Sequence, residues 1–187
     1  MWHRLWRHRE RKTQLLREPR LSLPLVEGAA LDHVAVAVRD PAPAARLFRD
    51  VLGGRFLMGG DEVSQGFRFV QYRFPGGGKV ELVTPIAPDG FVFRFLERRG
   101  EGVHHLTIRV RDIERQVERL QAAGVSLMLA SMGNPGWSEA FIHPKEAHGV
   151  LIQLAQSAWT DDQAARHMGE RFPEAALLTL PGERAPR

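Results

Sequence analysis

Cysteine is absent from all 187 residues. That excludes disulfides, thiolate metal sites, thiol nucleophiles and dithiol redox chemistry, so any metal must be held by histidine, carboxylate or amide oxygen. No apolar run approaches the roughly 20 residues of a membrane span, and the N-terminal stretch lacks the continuous apolar core of a secretory signal. There is no Gly-x-Ser-x-Gly elbow, nucleotide phosphate loop or dinucleotide fingerprint. The Gly76–Gly78 triplet is followed by no helix and reads as a hairpin turn. A soluble, cytoplasmic protein is expected.

The composition is that of a globular chain, with 43% hydrophobic and 26% charged residues, and the length suits one domain or two small fused modules. The formal charge of +4 is uneven. Residues 1–20 carry seven basic side chains against Glu10 and Glu18, whereas the rest has 19 basic and 20 acidic residues. The body is therefore close to neutral, with none of the clustered basic and aromatic residues of a nucleic-acid surface. Residues 1–29 read as a basic leader and linker. The leader sets Trp2, Leu5 and Trp6 on one helical face, which suits a surface-seeking helix, an organelle-targeting peptide or a frayed or packed extension with no function of its own. Residues 158–187 read as a C-terminal tail, helical over Asp161 to Arg171, that packs on the domain or on a partner subunit. A homodimer is the expected assembly.

Between these ends, residues 30–157 alternate strand and helix signals and do so twice, over 30–100 and 101–157. Leu31–Val38 predicts a buried strand, Asp40 with Pro41 caps a helix through about Leu52, and Gly53-Gly54 stops it. Strands follow near 55–58, 67–74 and 79–83, then a short helix over Phe91–Arg99. The scheme restarts with a strand over 103–110, a helix from Asp112 to about Ala123, and strands near 126–130, 139–143 and 150–155. Each half is β-α-β-β-β, and the halves align at an offset of 72 residues: His33 with His105, Val38-Arg39-Asp40 with Val110-Arg111-Asp112, Phe48 with Leu120, and Glu81-Leu82 with Gln153-Leu154. The expected fold class is α+β, two tandem modules related by a pseudo-twofold.

A histidine in a buried strand is, taken alone, most often a hydrogen-bonded core residue. The repeat changes that reading, because a pseudo-twofold brings His33, His105, Glu81 and Gln153 toward its axis. Two imidazoles, a carboxylate and an amide oxygen suit a divalent ion such as Co, Ni, Zn, Mn or Fe better than calcium. The offset selects His105 as the inward residue, and strand alternation then points His104 to the opposite face. Arg68 and Arg73, on a strand beside the cavity, and Lys145, in the turn after the seventh strand, are candidate contacts for an anionic substrate.

The segments LDHVAVAV (31–38), LFRDVLG (47–53), KVELVTP (79–85), GVHHLTIRV (102–110) and HPKEAHGVLIQLAQ (143–156) resemble the vicinal oxygen chelate superfamily, the glyoxalase, bleomycin-resistance and dioxygenase group. Within it they look most like methylmalonyl-CoA epimerases. The resemblance implies a curved mixed sheet around a central metal-binding cavity, with a metal held from the positions of His33, Glu81, His105 and Gln153. That metal would chelate adjacent oxygens of a small carbonyl or acyl-CoA substrate and stabilise an enolate formed by proton abstraction beside a thioester carbonyl. Two departures bear on the reaction. Those epimerases normally carry Glu where this chain has Gln153, and an amide accepts no proton at neutral pH. The third strand, Gly66–Phe74, contains no acidic residue. Since inverting a carbon needs a base on each face or one mobile base, Glu81 is left as the catalytic carboxylate, and a one-base isomerase or lyase is expected. Two other readings stay open: a non-haem Fe(II) dioxygenase using the two-histidine, one-carboxylate set, and a metal-free ligand-binding or resistance protein.

Overall fold

The structure, a computed structural model, describes residues 28–131, 136–169 and 171–180. The basic leader and its linker up to Glu27, and the closing PGERAPR, lie outside the described residues. Eight strands form one mixed sheet: β1 (Ala30–Ala37), β2 (Arg55–Glu62), β3 (Phe67–Arg73), β4 (Lys79–Pro85), β5 (Gly102–Arg109), β6 (Leu127–Ser131), β7 (Trp137–Ile142) and β8 (Leu151–Ser157). Their order is β2-β3-β4-β1-β5-β8-β7-β6. The first strand of each half pairs parallel with the last strand of its own half, and β1 pairs antiparallel with β5 at the centre. The pseudo-twofold runs between those two strands.

Each half carries one helix on the outer face of the sheet, and the two are built alike. The first, α1 (Pro41–Ala45), opens on Asp40, whose Oδ1 accepts from Ala42 N at 2.9 Å. Its counterpart α3 (Ile113–Ala122) opens on Asp112, which accepts from Arg115 N at 3.0 Å. Each cap satisfies one of the backbone donors that a helix start leaves unpaired. The helix expected through Leu52 changes character at Arg46: residues Arg46–Val51 take the wider π-helical form, with Leu52 N bonded to Leu47 O. Gly53, at φ 78°, ends it. Val38, Phe48 and Leu82 share the core between the first helical segment and the sheet, and Val110, Leu120 and Leu154 that between α3 and the sheet, the same three positions 72 residues on. These outer cores make the duplication a packing repeat as well as a sequence repeat.

The inner face of the sheet is rolled into a trough. Gln65, in the β2–β3 turn, donates to Glu139 of β7 at 3.4 Å, although five strand spacings, about 24 Å in a flat sheet, separate β3 from β7. One end of the trough is filled by α2 (Phe91–Arg99), whose Val92 and Leu96 pack with Ala37, Val83 and four phenylalanines. The C-terminal extension packs on this same domain. Helix α4 (Asp161–Gly169) lies against β2, with Met168 over Gly60, and α5 (Glu174–Leu177) continues to the outer core, where Leu177 is buried. Gly59 and Gly60 permit this wrapping: a Cβ at Gly59 would lie 2.6 Å from Phe69 O and run into the Leu177 side chain. No helix among the described residues is long and apolar enough to cross a membrane.

Candidate metal centre

Strand alternation places His33 (β1), Glu81 (β4), His105 and Thr107 (β5) and Gln153 (β8) on the inner face, and all five are buried. His33, Glu81 and His105 each offer a ligand atom within 4.8 Å of the others. The imidazole rings of His33 and His105 are 5.9 Å apart, and His33 Nε2 lies 3.6 Å from Glu81 Oε1. Glu81 Oε2 accepts from Gln71 Nε2 at 2.7 Å, directly across the β3–β4 pair.

Each imidazole is oriented by the residue before it. The β1–β5 pairing slips by one residue at two places, between Leu31 and His33 on β1 and opposite Val103 and His105 on β5. A slip of this kind is a β-bulge, which leaves an extra residue outside the alternation. The extra residues are Asp32 and His104, 72 positions apart. His33 Nδ1 donates to Asp32 Oδ1 at 2.7 Å, and the Nδ1 atoms of His104 and His105 share a hydrogen bond of 2.8 Å. His104 therefore does not face the opposite side as alternation implied: the bulge turns it inward, where Phe91 and Phe95 of α2 pack on its ring.

The electrostatics of the two histidines diverge. Burial works against charge on His33, but Glu81 and the hydrogen bond to Asp32 overcome it and push the imidazole up to about 9. Its Nε2 contacts Thr107 Oγ1 at 2.9 Å, and the Thr107 hydroxyl in turn donates to Gln153 Oε1 at 2.5 Å. Thr107 has a single proton to give, so His33 Nε2 is the donor in that contact and the ring is an imidazolium. Burial, despite an opposing pull from Glu81, drives His105 down to about 3, and burial likewise takes His104 down to about 4. Burial also opposes charge on Glu81, yet His33 holds its carboxyl at about 2.

Among the described residues, His105 Nε2 is buried with no hydrogen-bond partner in good geometry. An unpaired buried nitrogen costs on the order of 1–3 kcal/mol, and here it lies beside an imidazolium–carboxylate pair. That is the donor set a divalent ion takes: such an ion would replace the His33 proton and would be held by His105 Nε2 in the tautomer protonated at Nδ1. The residues present fit such an ion.

Gln153 sits against this group with its amide already engaged: Oε1 accepts from Thr107, and Nε2 donates to Glu139 Oε2 at 2.6 Å. Glu139 also accepts from Trp137 Nε1 at 3.0 Å, and its charge, after burial, helps raise the carboxyl of Glu62 on β2. Sequence reasoning missed Glu139, Asp32, Thr107 and Gln71. Of the three candidate anion contacts, Arg73 lies on the inner face. Arg68 lies on the outer one, where it grips Asp61 and the carbonyls of Ala176, Leu177 and Thr179. Lys145 is exposed in the turn after β7, its backbone N bonded to His143 Nδ1.

A family model for the glyoxalase/bleomycin resistance protein/dioxygenase superfamily matches residues 32–141. The chain belongs to that superfamily. Among curated superfamily relatives, the ethylmalonyl-CoA/methylmalonyl-CoA epimerase of Cereibacter sphaeroides is 33% identical over 130 residues, covering 67% of this chain and 96% of that protein. Human mitochondrial methylmalonyl-CoA epimerase is 31% identical over 130 residues, covering 68% of this chain and 73% of that one. Among solved structures, methylmalonyl-CoA epimerase from Mycobacterium tuberculosis superposes with a TM-score of 0.66 at 35% identity, covering 75% of this chain and 94% of that one. A further neighbour, at a TM-score of 0.63 and 28% identity over 68% of this chain and 94% of that one, is a methylmalonyl-CoA epimerase in complex with methylmalonyl-CoA and NH4+.

Proposed function

We propose that this superfamily member is an epimerase of a small acyl-CoA thioester, with a divalent ion held by His33, Glu81 and His105 and with Gln153 as a fourth donor. The observation that carries the reading is the buried group of two imidazoles and a carboxylate around the unpartnered His105 Nε2, in a chain whose relatives are named for that reaction. A divalent ion in this position supplies a Lewis acid toward negative charge developing on a carbonyl oxygen.

The rest of the chemistry belongs to side chains. Asp32 and His104 hold the Nδ1 atoms of their neighbours, which leaves both Nε2 atoms directed inward. Gln71 fixes one oxygen of Glu81, leaving the other for the centre. Epimerisation requires proton removal on one face of the substrate carbon and return on the other. Glu81 is the carboxylate on the first-module side. Gln153 cannot act as a base, but Glu139, hydrogen-bonded to it from the adjoining strand, brings a carboxylate to the second-module side. In this reading the two carboxylates serve the two faces of the substrate carbon, where Gln153 alone pointed to a one-base scheme.

The test is deuterium incorporation from heavy water into methylmalonyl-CoA, together with racemisation followed by chiral analysis. The expected result is both exchange and racemisation, abolished by chelator and restored by added Co(II) or Zn(II). Exchange without racemisation would return the reading to one-base chemistry, and oxygen consumption without exchange would move it to a dioxygenase.

A further inference from the structure

The inner face carries a second tier of chemistry next to the metal group. Along β3, β4 and β5, the residue two positions from Gln71 is Arg73, that from Glu81 is Lys79, and that from Thr107 is Arg109. Positions i and i+2 of a strand share a face and lie roughly 6–7 Å apart, so three cations border the centre on its own side of the sheet. They converge on one carboxylate. Asp161, at the start of α4, receives Lys79 Nζ on both oxygens at 2.9 Å, Arg73 Nη2 at 2.9 Å and Arg109 Nη2 at 3.2 Å. Asp162 takes the other Arg73 nitrogen at 3.0 Å. The tier also reaches the metal group: Lys79 Nζ lies 2.9 Å and Arg109 Nε 2.7 Å from the carboxylate of Asp32, which holds His33.

The charges balance only with the helix in place. Arg73, Lys79 and Arg109 face Asp32, Asp161 and Asp162; without the last two, the tier carries a net charge of +2. The three cations fall inside the span matched by the family model, whereas both balancing acids fall beyond it, on the C-terminal extension. Lys79, whose side chain is only 6% exposed, is thus a trough residue held between Asp32 and a carboxylate that the extension delivers.

We propose that Arg73, Lys79 and Arg109 form an anion-binding subsite of the substrate trough, taking a carboxylate or phosphate carried by the ligand, and that Asp161 occupies this subsite as an intramolecular competitor. The inference deepens the acyl-thioester reading and rests on it for the ligand, but the subsite can be tested without turnover. A ligand whose reacting oxygens sit at the centre would present its anionic group to this tier and displace Asp161. The extension then sets how strongly the trough accepts an anionic substrate.

The experiment is calorimetric titration of the full chain with succinate and, separately, with inorganic phosphate, comparing wild type with an Asp161→Asn/Asp162→Asn variant. The variant should bind at least one of the two anions at least tenfold more tightly, and adding Lys79→Met should remove the gain. Preference for succinate marks a carboxylate subsite, and preference for phosphate a phosphate subsite. Asp162→Asn alone, at a side chain 70% exposed, keeps the fold in hand and should tighten binding severalfold. Equal affinities in wild type and the folded variants overturn the subsite. Loss of deuterium exchange and racemisation in wild type, with the binding gain intact, overturns only the epimerase reading.

Discussion

The two histidines of the centre differ in what stands behind them. His33 rests on a carboxylate and is charged; His105 rests on a neutral ring and is not. Partners of this kind orient a ligand and raise its basicity, and losing one typically costs 10- to 100-fold in metal affinity. Asp32→Asn should therefore weaken Zn(II) or Co(II) binding by that factor in a competition titration, whereas Lys145→Ala, at an exposed turn, should leave it unchanged. Because His33 is an imidazolium in the metal-free centre, binding of an ion there would release its proton. Metal affinity should rise with pH until about 9 and level off above, and calorimetry in buffers of different ionisation enthalpy should count close to one proton at pH 7. Glu139→Gln should slow racemisation of the acyl thioester by 10²- to 10⁴-fold, the range of a lost acid–base group, while deuterium exchange at one face of the substrate persists.

The elements were largely legible in the sequence, because the same signals occur twice. Asp40 and Asp112 mark both outer helices, Gly53 and Gly124 end them, and the offset of 72 pairs the cores beneath. The metal-free stability of the domain is a property of how these elements bury charge. His33, raised from an ordinary 6.5 to about 9, stabilises the fold fully below pH 6.5, and this contribution fades as pH rises through 9. His104 and His105, kept neutral by burial, work in the other direction: their contribution is present above pH 6.5 and is lost as pH falls through about 4 and about 3. Thermal denaturation without metal should show a maximum near pH 6.5, and added metal should flatten the alkaline side by taking over the proton's place. The bulges at Asp32 and His104 escaped a reading based on strict alternation, since one extra residue reverses the facing of its neighbour. The repeat did contain the clue: Asp32 and His104 share the offset of the histidines they support. Nothing comparable marks Glu139, which has no acidic counterpart 72 residues earlier and enters the site diagonally across β7 and β8.

The extension beyond β8 is part of the domain's packing. Phe172 and Leu177 join the core under α1, Tyr72 Oη and Arg49 both bond Glu174, and Arg68 holds three carbonyls of the tail. None of these long-range contacts is visible as a local pattern, which is why Arg68 read as an anion contact. Gly59→Ala tests the arrangement. The added methyl meets the Phe69 backbone and the Leu177 side chain, and overpacking of this kind costs typically 1–3 kcal/mol. The variant should melt several degrees lower and expose the segment around Pro173 to limited proteolysis.

The paired bulges make the two halves unequal. Duplication copied the scaffold but not its electronics: one half backs its imidazole with an anion, the other with a neutral aromatic. A bound ion would feel a strong donor from one repeat and a weaker one from its twin, and the incoming substrate would meet a lopsided field. Interchanging the supports, Asp32→His with His104→Asp, would turn that polarity around while leaving the strand pairing alone, and so ask which half of an ancestral duplicate steers the reaction.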